Sequence, residues 1–474
     1  MSGASRIAPP PRTEAAVNNG SLYAASKKVY PRSIQGLFSR WRWAMVFATQ
    51  LVFYGLPWLE WGGRQSVLFD LAARRFYLFG LVLYPQDLIY LAALLVVSAL
   101  LLFLFTAVAG RLWCGFSCPQ TVYTEIFMWV EQKIEGNRSA RIRLDGESLS
   151  MEKLVKKWFK HLAWIGIALW TGFTFVGYFT PVRELGMAFL QMRMGSWEVF
   201  WVFFYGFATY GNAGFMREQV CKYMCPYARF QSAMFDRDTL VVSYEAQRGE
   251  PRGPRRKVDD AKAQGLGDCI GCSLCVQVCP VGIDIRNGLQ YECIGCGLCV
   301  DACNSVMDKM GYARGLIRYD TQNGMAAGWS PRQLLRRVLR PRVLTYAGVL
   351  AVLVVGLLAS LVLRTPLKVD VVRDRASLAR PVEGGRLENV YRLQIMNATE
   401  KAQAYRIEAR GLDGLAVASE PRVEVGPADS RWAAVRLQIM DGSAAPGSHP
   451  IHFDVRQEGG GAQVSEKAVF LVPR

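Results

Sequence analysis

Histidine is scarce in this chain of 474 residues: only His161, His449 and His452 occur, and only His161 lies near an apolar segment. That scarcity excludes a membrane cytochrome built on bis-histidine haems, and any catalytic metal centre made of imidazoles. Cysteine is absent from the last 171 residues; its twelve copies all lie between positions 114 and 303. A secreted disulfide scaffold is short and spreads its cysteines throughout, so this distribution points to cofactor or redox thiols kept reduced in a cytosol. A dinucleotide fingerprint is missing too. Gly265-Leu-Gly267 lacks a third glycine and leads into cysteines instead of a helix, so no nicotinamide or flavin site is visible. Residues 1–42 are polar and hold no apolar stretch early enough for a secretory signal peptide, so the first span is expected to be retained.

Positive charge is abundant. The formal charge is +17, hydrophobic residues make up 51% and charged residues 20%, with a pI near 9.4 and a mean hydropathy of +0.12. These values suit a membrane protein with an anionic partner, either nucleic acid or the cytoplasmic leaflet. Five segments are apolar enough to span: Trp43–Leu59, Leu88–Ala109, His161–Thr180, Val199–Met216 and Val343–Leu363. Trp41, Trp43, Trp58 and Trp61 bracket the first of them, as an interfacial belt would. Lys and Arg crowd the N-terminal tail, residues 111–160 and residues 217–342; segments 60–87 and 181–198 have few. The positive-inside rule then puts the tail, 111–160 and 217–342 in the cytoplasm and the C-terminus outside. Topology accounts for the basic excess, and no nucleic-acid module is present.

The expected organisation is a cytoplasmic tail (1–42), a four-helix membrane domain (43–230), a cytoplasmic 2[4Fe–4S] ferredoxin domain with a basic linker (231–342), a fifth transmembrane helix (343–363) and a periplasmic β domain (364–474). Segment 60–87 is too long and too apolar for a plain loop and reads as an interfacial or re-entrant element. In the C-terminal part, Asn389–Met396, Ala404–Glu408, Val435–Met440 and Ile451–Arg456 alternate apolar and polar residues between Gly/Pro/Asp turns. Short strands at that spacing predict an immunoglobulin-like β-sandwich, although the Cys…Trp…Cys hallmark is absent. The fold class is therefore a polytopic α-helical membrane protein carrying a ferredoxin-like domain and a sandwich.

The densest chemistry lies at 269–303, where two runs read Cys269-x2-Cys272-x2-Cys275-x3-Cys279-Pro and Cys293-x2-Cys296-x2-Cys299-x3-Cys303-Asn. This is the bacterial two-cluster ferredoxin spacing, in which the fourth cysteine of each run serves the other cluster. Cys269, Cys272, Cys275 and Cys303 are assigned to one [4Fe–4S] cluster, and Cys293, Cys296, Cys299 and Cys279 to the other. Zinc also uses Cys-x2-Cys pairs, but eight cysteines in two matched runs argue against it. Such a module passes electrons and needs a donor, which the sequence does not identify.

The other four cysteines repeat a Cys-x3-Cys-Pro motif. Cys114 and Cys118 follow the second span; Cys221 and Cys225 follow the fourth. The spacing puts both thiols of a pair on one helical face, and the proline marks a helix end. Arg111, Lys222 and Arg229 are expected to favour thiolate. Four thiols at one membrane edge can bind copper, since thiolates select Cu(I), or cycle between dithiol and disulfide. A further iron–sulfur cluster or a structural zinc is a rival use. Met187, Met192 and Met194 near the outer loop are candidate thioether ligands for Cu(I), with interfacial packing the plainer reading.

Taken in order, Trp-Cys114-Gly-Phe-Ser-Cys118-Pro-Gln, Cys221-Lys-Tyr-Met-Cys225-Pro, the double ferredoxin run and the C-terminal sandwich resemble the cytochrome oxidase accessory family called CcoG, FixG or RdxA, from about residue 30 to 474. The resemblance implies an inner-membrane protein needed for assembly of cbb3-type cytochrome c oxidase. It also implies cupric reductase activity, with Cys114, Cys118, Cys221 and Cys225 as the catalytic thiols, and copper-delivery or assembly proteins of that oxidase as partners. Membrane ferredoxins that feed respiratory reductases share both motifs and form the alternative; a non-redox scaffold is a third. The charge distribution gives one direct test. A reporter fused after Arg474 should be active only outside the cytoplasm, and one fused near Gly253 only inside; the reverse pattern would overturn the placement of every cysteine.

Overall fold

The structure, a computed structural model, describes residues 28–259, 264–374 and 379–473. The basic positions 6, 12 and 27 of the tail therefore lie outside the described residues. Each expected span overlaps a helix: α1 (Leu37–Gly55), α2 (Leu88–Ala109), α6 (Met151–Val176), α8 (Ser196–Thr209) and the Pro341–Val362 helix. Three helices, Pro85–Ala109, Met151–Val176 and Pro341–Val362, are long and apolar enough to cross a membrane, as a multi-pass protein requires. The two that fall short have visible reasons. α1 carries Arg40 and Arg42 in its first turns, and α8 gives way after 14 residues to a π-helical stretch over Tyr210–Met216.

Between α2 and α6 run three short helices, α3 (Leu112–Phe116), α4 (Pro119–Glu135) and α5 (Arg138–Gly146). α6 starts at Ser150, whose hydroxyl accepts from the Lys153 amide at 3.2 Å. It packs on α8 through glycine: a Cβ at Gly172 would lie 2.2 Å from the Val202 carbonyl oxygen, so the two backbones touch. Trp164 anchors α6 to α4 by stacking on Phe127 and donating to the Phe127 carbonyl at 3.0 Å. Beside that core lie two buried carboxylates on α4. Glu131 pairs with Arg217 at 2.8 Å and Arg141 at 3.4 Å, and Glu135 with Lys160 at 2.8 Å and Lys157 at 2.9 Å.

Segment 60–87 is the main departure from expectation. Read as an interfacial or re-entrant element, it folds as β structure. A hairpin of β1 (Glu60–Trp61) and β2 (Arg64–Gln65) leads into an antiparallel meander of β3 (Val67–Asp70), β4 (Arg75–Leu78) and β5 (Leu81–Leu83). Its β-branched and aromatic residues suit strands, and Gly80 and the 71–74 turn punctuate them. The sheet is stable because it packs on the C-terminal domain: Leu68, Tyr77, Val82 and Tyr84 form one core with Met396 and Ala428.

Residues 367–472 form two antiparallel sheets. One runs in the order 416–417, 430–440, 386–397, 367–373, with 380–382 added beside 386–397; the other runs 422–425, 403–410, 447–457, 463–472. Tyr391, Leu393, Ile395, Val435, Leu437, Ile451, Phe453 and Phe470 fill the core between them. All four alternating segments of the sequence fall inside these strands.

One carboxylate ties this domain to the membrane helices. Asp87, 3% exposed, stands at the start of α2 and takes Arg364, beyond the last helix, at 2.9 Å; Lys368 in the first strand of the domain also binds it. Removing one partner of a buried pair leaves an uncompensated charge. Asp87→Ala should therefore cost about 3–5 kcal/mol and open 364–374 to protease. Lys368→Ala, which takes away the more exposed partner, should cost about 1 kcal/mol or less. Thermal unfolding of the purified protein in detergent checks both.

Candidate functional site

The cysteine-rich segment is closed by a two-stranded ladder, Val241–Tyr244 against Ile317–Asp320, which brings its two ends together. Within it, Cys269, Cys272, Cys275 and Cys303 line one cavity, with Tyr244, Arg286 and Met307. Cys279, Cys293, Cys296 and Cys299 line a second, with Val281 and Ile294. Cys275 reaches the wall of both, so the cavities adjoin. The fourth cysteine of each run thus stands with the first three of the other.

Among the described residues, no three His, Cys, Asp or Glu side chains converge closely enough to hold a single metal ion. The thiols surround a space, as ligands of a multi-iron cluster do, and positive φ at Gly271, Gly295 and Gly297 (67°, 63° and 73°) bends the backbone around it. The residues fit [4Fe–4S] groups.

The second cavity faces the membrane helices. Gly115 of α3 lies against the loop 294–296: a Cβ there would meet the carbonyl oxygens of Gly295 and Ile294 at 2.8 Å and the Cys296 Cα at 2.9 Å. Gly297 lies under the ring of Phe38, and Tyr319, which packs on Phe38 at 5.0 Å between ring centroids, donates to the Gly295 carbonyl. Asp301, 7% exposed, accepts from the amides of Phe38 and Ser39 at 3.3 and 2.8 Å. It thereby caps the first turn of α1 from another part of the chain. Arg111, also buried, donates to the carbonyls of Tyr291, Cys293 and Ala228 and so joins α3, the second cysteine run and the Pro226–Met234 helix.

The four Cys-x3-Cys-Pro cysteines neighbour one another on this face, without three of them converging on one point. Cys114 and Cys221 are within electrostatic reach of each other, as are Cys118 and Cys225, and Cys221 also reaches Cys118 and Cys225. Their backbone differs from the expected single helical face. Cys118 and Cys225 are extended (ψ 129° and 109°) and each precedes a new helix with proline at its first position. Cys221 lies in a π-helical turn, Val220–Met224, a feature common at functional sites. The motif ends one helix and starts the next.

Two glutamines interlock the copies. Gln120 donates to the carbonyls of Asn212 and Arg217 at 2.9 and 3.1 Å. The Cys114 thiol donates to the fully buried Gln231 at 3.4 Å. Cys114, Cys118 and Cys221 are not the thiolates that Arg111, Lys222 and Arg229 suggested. Burial pushes Cys114 up to about 12, Cys221 to about 11, and Cys118 upward as well. Arg111 favours the thiolate at Cys114 and Cys221, and the Gln120 and Thr121 amides favour it at Cys118, yet burial outweighs them.

Met192 and Met194 line an apolar cavity of about 490 Å³ with Trp170, Phe173, Phe189 and Phe203; Met187 stands apart on α7 (Val182–Leu190) and is largely exposed. Sequence reasoning missed Gly115, Asp301, Gln120, Gln231 and Phe38. Gly115 alone had a visible signal, as the only glycine between paired cysteines of the repeated motif.

Comparison with known proteins adds three matches to family models. Residues 216–322 match a 4Fe–4S dicluster domain, residues 91–137 a 4Fe–4S binding domain, and residues 357–473 the IG-like fold at the C-terminus of FixG. The nitrogen fixation protein FixG of Rhizobium meliloti is 38% identical over 424 residues, 83% of this chain and 81% of its own length. Protein RdxA of Cereibacter sphaeroides is 39% identical over 441 residues (90% and 92%), and RdxB of the same organism 38% over 446 (92% and 93%). The crystal structure of a FixG-related protein from Vibrio parahaemolyticus aligns with 23% of this chain and 97% of its own, at 21% identity and a TM-score of 0.21.

The tight seat of Gly115 is testable. Gly115→Ala should displace the 294–296 loop at a cost of about 1–3 kcal/mol, seen as lower thermal stability and faster proteolysis between 291 and 297. Gly166→Ala, on α6 with no atom within 4 Å of the new methyl, should be neutral or stabilising by about 1 kcal/mol or less.

Proposed function

The chain belongs to the FixG/RdxA family, and we propose that it is a membrane-bound electron-transfer protein that reduces Cu(II) to Cu(I) for assembly of a cbb3-type cytochrome c oxidase. It is an iron–sulfur protein with 4Fe–4S binding domains. In this reading there are two [4Fe–4S] clusters, held by Cys269, Cys272, Cys275 and Cys303 and by Cys293, Cys296, Cys299 and Cys279. Such clusters supply one-electron transfer when bound.

The observation that carries the copper step is the gathering of Cys114, Cys118, Cys221 and Cys225 beside the second cysteine run, with Gly115, next to Cys114, in backbone contact with the Cys296 loop. Cu(II) is the substrate. It takes one electron and leaves as Cu(I), the state that thiolates prefer. Two thiols suffice for Cu(I), so the four need not converge on one point. Arg111 steadies the negative charge that develops as bound thiols give up their protons, and Gln231 orients the Cys114 thiol.

The chain crosses the bacterial inner membrane five times in this reading. Its N-terminus and ferredoxin part are cytoplasmic and its sandwich periplasmic. The Lys/Arg distribution supports this arrangement. So does the contact pattern, in which 28–42, 111–116 and the ferredoxin part meet at one end and 64–87 meets the sandwich at the other. Its partners are an electron donor and the copper-delivery or assembly proteins of the oxidase.

A second reading has its own support. The 4Fe–4S binding model over 91–137 contains only Cys114 and Cys118 of the twelve cysteines, which favours the four thiols as ligands of a further cluster in a carrier without copper chemistry. One variant separates the two. Protein purified without oxygen should hold about eight iron and eight acid-labile sulfide per chain, and Cys114→Ala should keep them while losing Cu(II) reduction. Combining it with Cys221→Ala should cost little more, since residues acting as one unit are not additive. If Cys114→Ala reduces Cu(II) at the unmodified rate, the copper reading falls. If it loses iron in stoichiometric amount, the second reading replaces it.

A further inference from the structure

The two cysteine runs match in sequence but not in surroundings. Gly271 and Gly295 occupy equivalent places in Cys-Ile-Gly-Cys, both at positive φ. A Cβ at Gly295 would lie 3.2 Å from the Arg111 backbone, and one at Gly297 2.7 Å from Phe38; a Cβ at Gly271 would meet nothing within 4 Å. The position equivalent to Gly297 is Ser273, which keeps a side chain at φ 55° because no helix covers it. Cys272 is exposed, whereas its counterpart Cys296 is buried. One run is therefore sealed against the membrane helices and the other offers a free edge.

A basic loop borders that edge. Residues 249–255 run beside 267–269: the Gly253 amide donates to the Cys269 carbonyl at 3.2 Å, the Gly267 amide to the Pro251 carbonyl at 2.9 Å, and Arg255 to the Gly267 carbonyl at 2.6 Å. Of the charged residues from 248 to 259, five are basic and two acidic. Arg252, Arg256 and Lys257 are exposed, as is Val258 beside them at 88%. The acids that face this loop are engaged locally: Glu250 with Tyr244, with the Arg252 amide and, at 3.7 Å, with the exposed Arg252 guanidinium, Asp259 with the Arg256 amide, and Asp268 with Arg248.

We propose that the Cys272 edge and the flanking Arg252, Arg256 and Lys257 form the docking surface for an acidic, soluble one-electron carrier protein, which delivers electrons on the side away from the copper thiols. Charge complementarity selects the partner and speeds encounter, as in the small transient interfaces of redox pairs. Transfer moves one electron from the reduced carrier to the centre held by Cys269, Cys272, Cys275 and Cys303; no proton or covalent bond changes hands, and the carrier leaves oxidised. This rests on the electron-transfer reading above but not on its copper step.

The test uses the full chain in zwitterionic nanodiscs without oxygen and an acidic plant-type [2Fe–2S] ferredoxin as probe. Binding of oxidised ferredoxin should weaken about tenfold between low and physiological salt, and about tenfold again in the triple variant Arg252→Glu/Arg256→Glu/Lys257→Glu. The rate of reduction by reduced ferredoxin should fall in parallel, while iron content and reduction by dithionite stay unchanged. Should the triple variant lose iron, Arg252→Gln/Arg256→Gln/Lys257→Gln removes the charge with less disturbance and should show the same trend, smaller. Unchanged ferredoxin affinity in an iron-replete variant overturns the proposal. So does efficient reduction by a hydroquinone carried in the nanodisc when ferredoxin neither binds nor reduces, for the donor would then come from the membrane. Ferredoxin binding without any Cu(II) reduction would leave the proposal standing and remove only the copper reading.

Discussion

The molecule turns on a backbone-to-backbone contact, Gly115 of the first Cys-x3-Cys-Pro motif against residues 294–296 of the second ferredoxin run. Backbone atoms cannot move aside as a flexible side chain does, so only hydrogen fits at position 115. Other seats follow from this one. With the loop at that distance, Arg111 reaches the carbonyls of Tyr291 and Cys293, Phe38 covers Gly297, and Asp301 reaches the first amides of α1. A larger residue between the cysteines would push back the iron–sulfur part and with it the cap of α1. Packing, helix capping and the approach of the first cysteine pair to the second ferredoxin run thus depend on one missing side chain.

The opposite end of the helices is held by different means. There Asp87 gathers Arg364 and Lys368, and Arg75 meets Asp429 at 2.5 Å, so that the meander and the sandwich form one body. Buried ion pairs add little net stability but are costly to break singly, and they resist wrong registers. The same logic applies to Glu131 and Glu135 under the ferredoxin end. Both carboxylates lie on α4, and their partners come from α5, α6, the N-terminal segment and Arg217 after the π-helical stretch. That network fixes where the fourth expected span ends, and therefore where Cys221 stands.

The sequence made some of this legible and hid the rest for physical reasons. Apolar runs declared the helices because the bilayer demands them, and the matched cysteine spacing marked the thiols that line the two cavities. Alternation revealed the sandwich, whose strands are half-buried. The meander at 67–83 escaped because its strands have three or four residues, too few to show a period, and because its packing partners Met396 and Ala428 lie more than 300 positions away. Asp301 and Gln231 escaped for the same reason: each acts on an element remote in sequence. Helical periodicity misled at the paired cysteines. Cys-x3-Cys reads as one helical face, but the proline after each pair makes its second cysteine the start of a new helix.

The thiols carry a further consequence. Nearby arginine and lysine suggested thiolates, a reading that counts charges and neglects solvent. Burial removes water from Cys114 and Cys221 and favours their neutral forms, raising them to about 12 and 11. Cys114, Cys118 and Cys221 therefore hold their protons more firmly than free thiols do, and any soft cation that bound them would have to displace those protons. Repulsion from the neighbouring cysteines works in the same direction at Cys114, Cys118 and Cys221. In the copper reading a bound cation would remove that repulsion, with Arg111 already placed to favour the thiolate at Cys114 and Cys221.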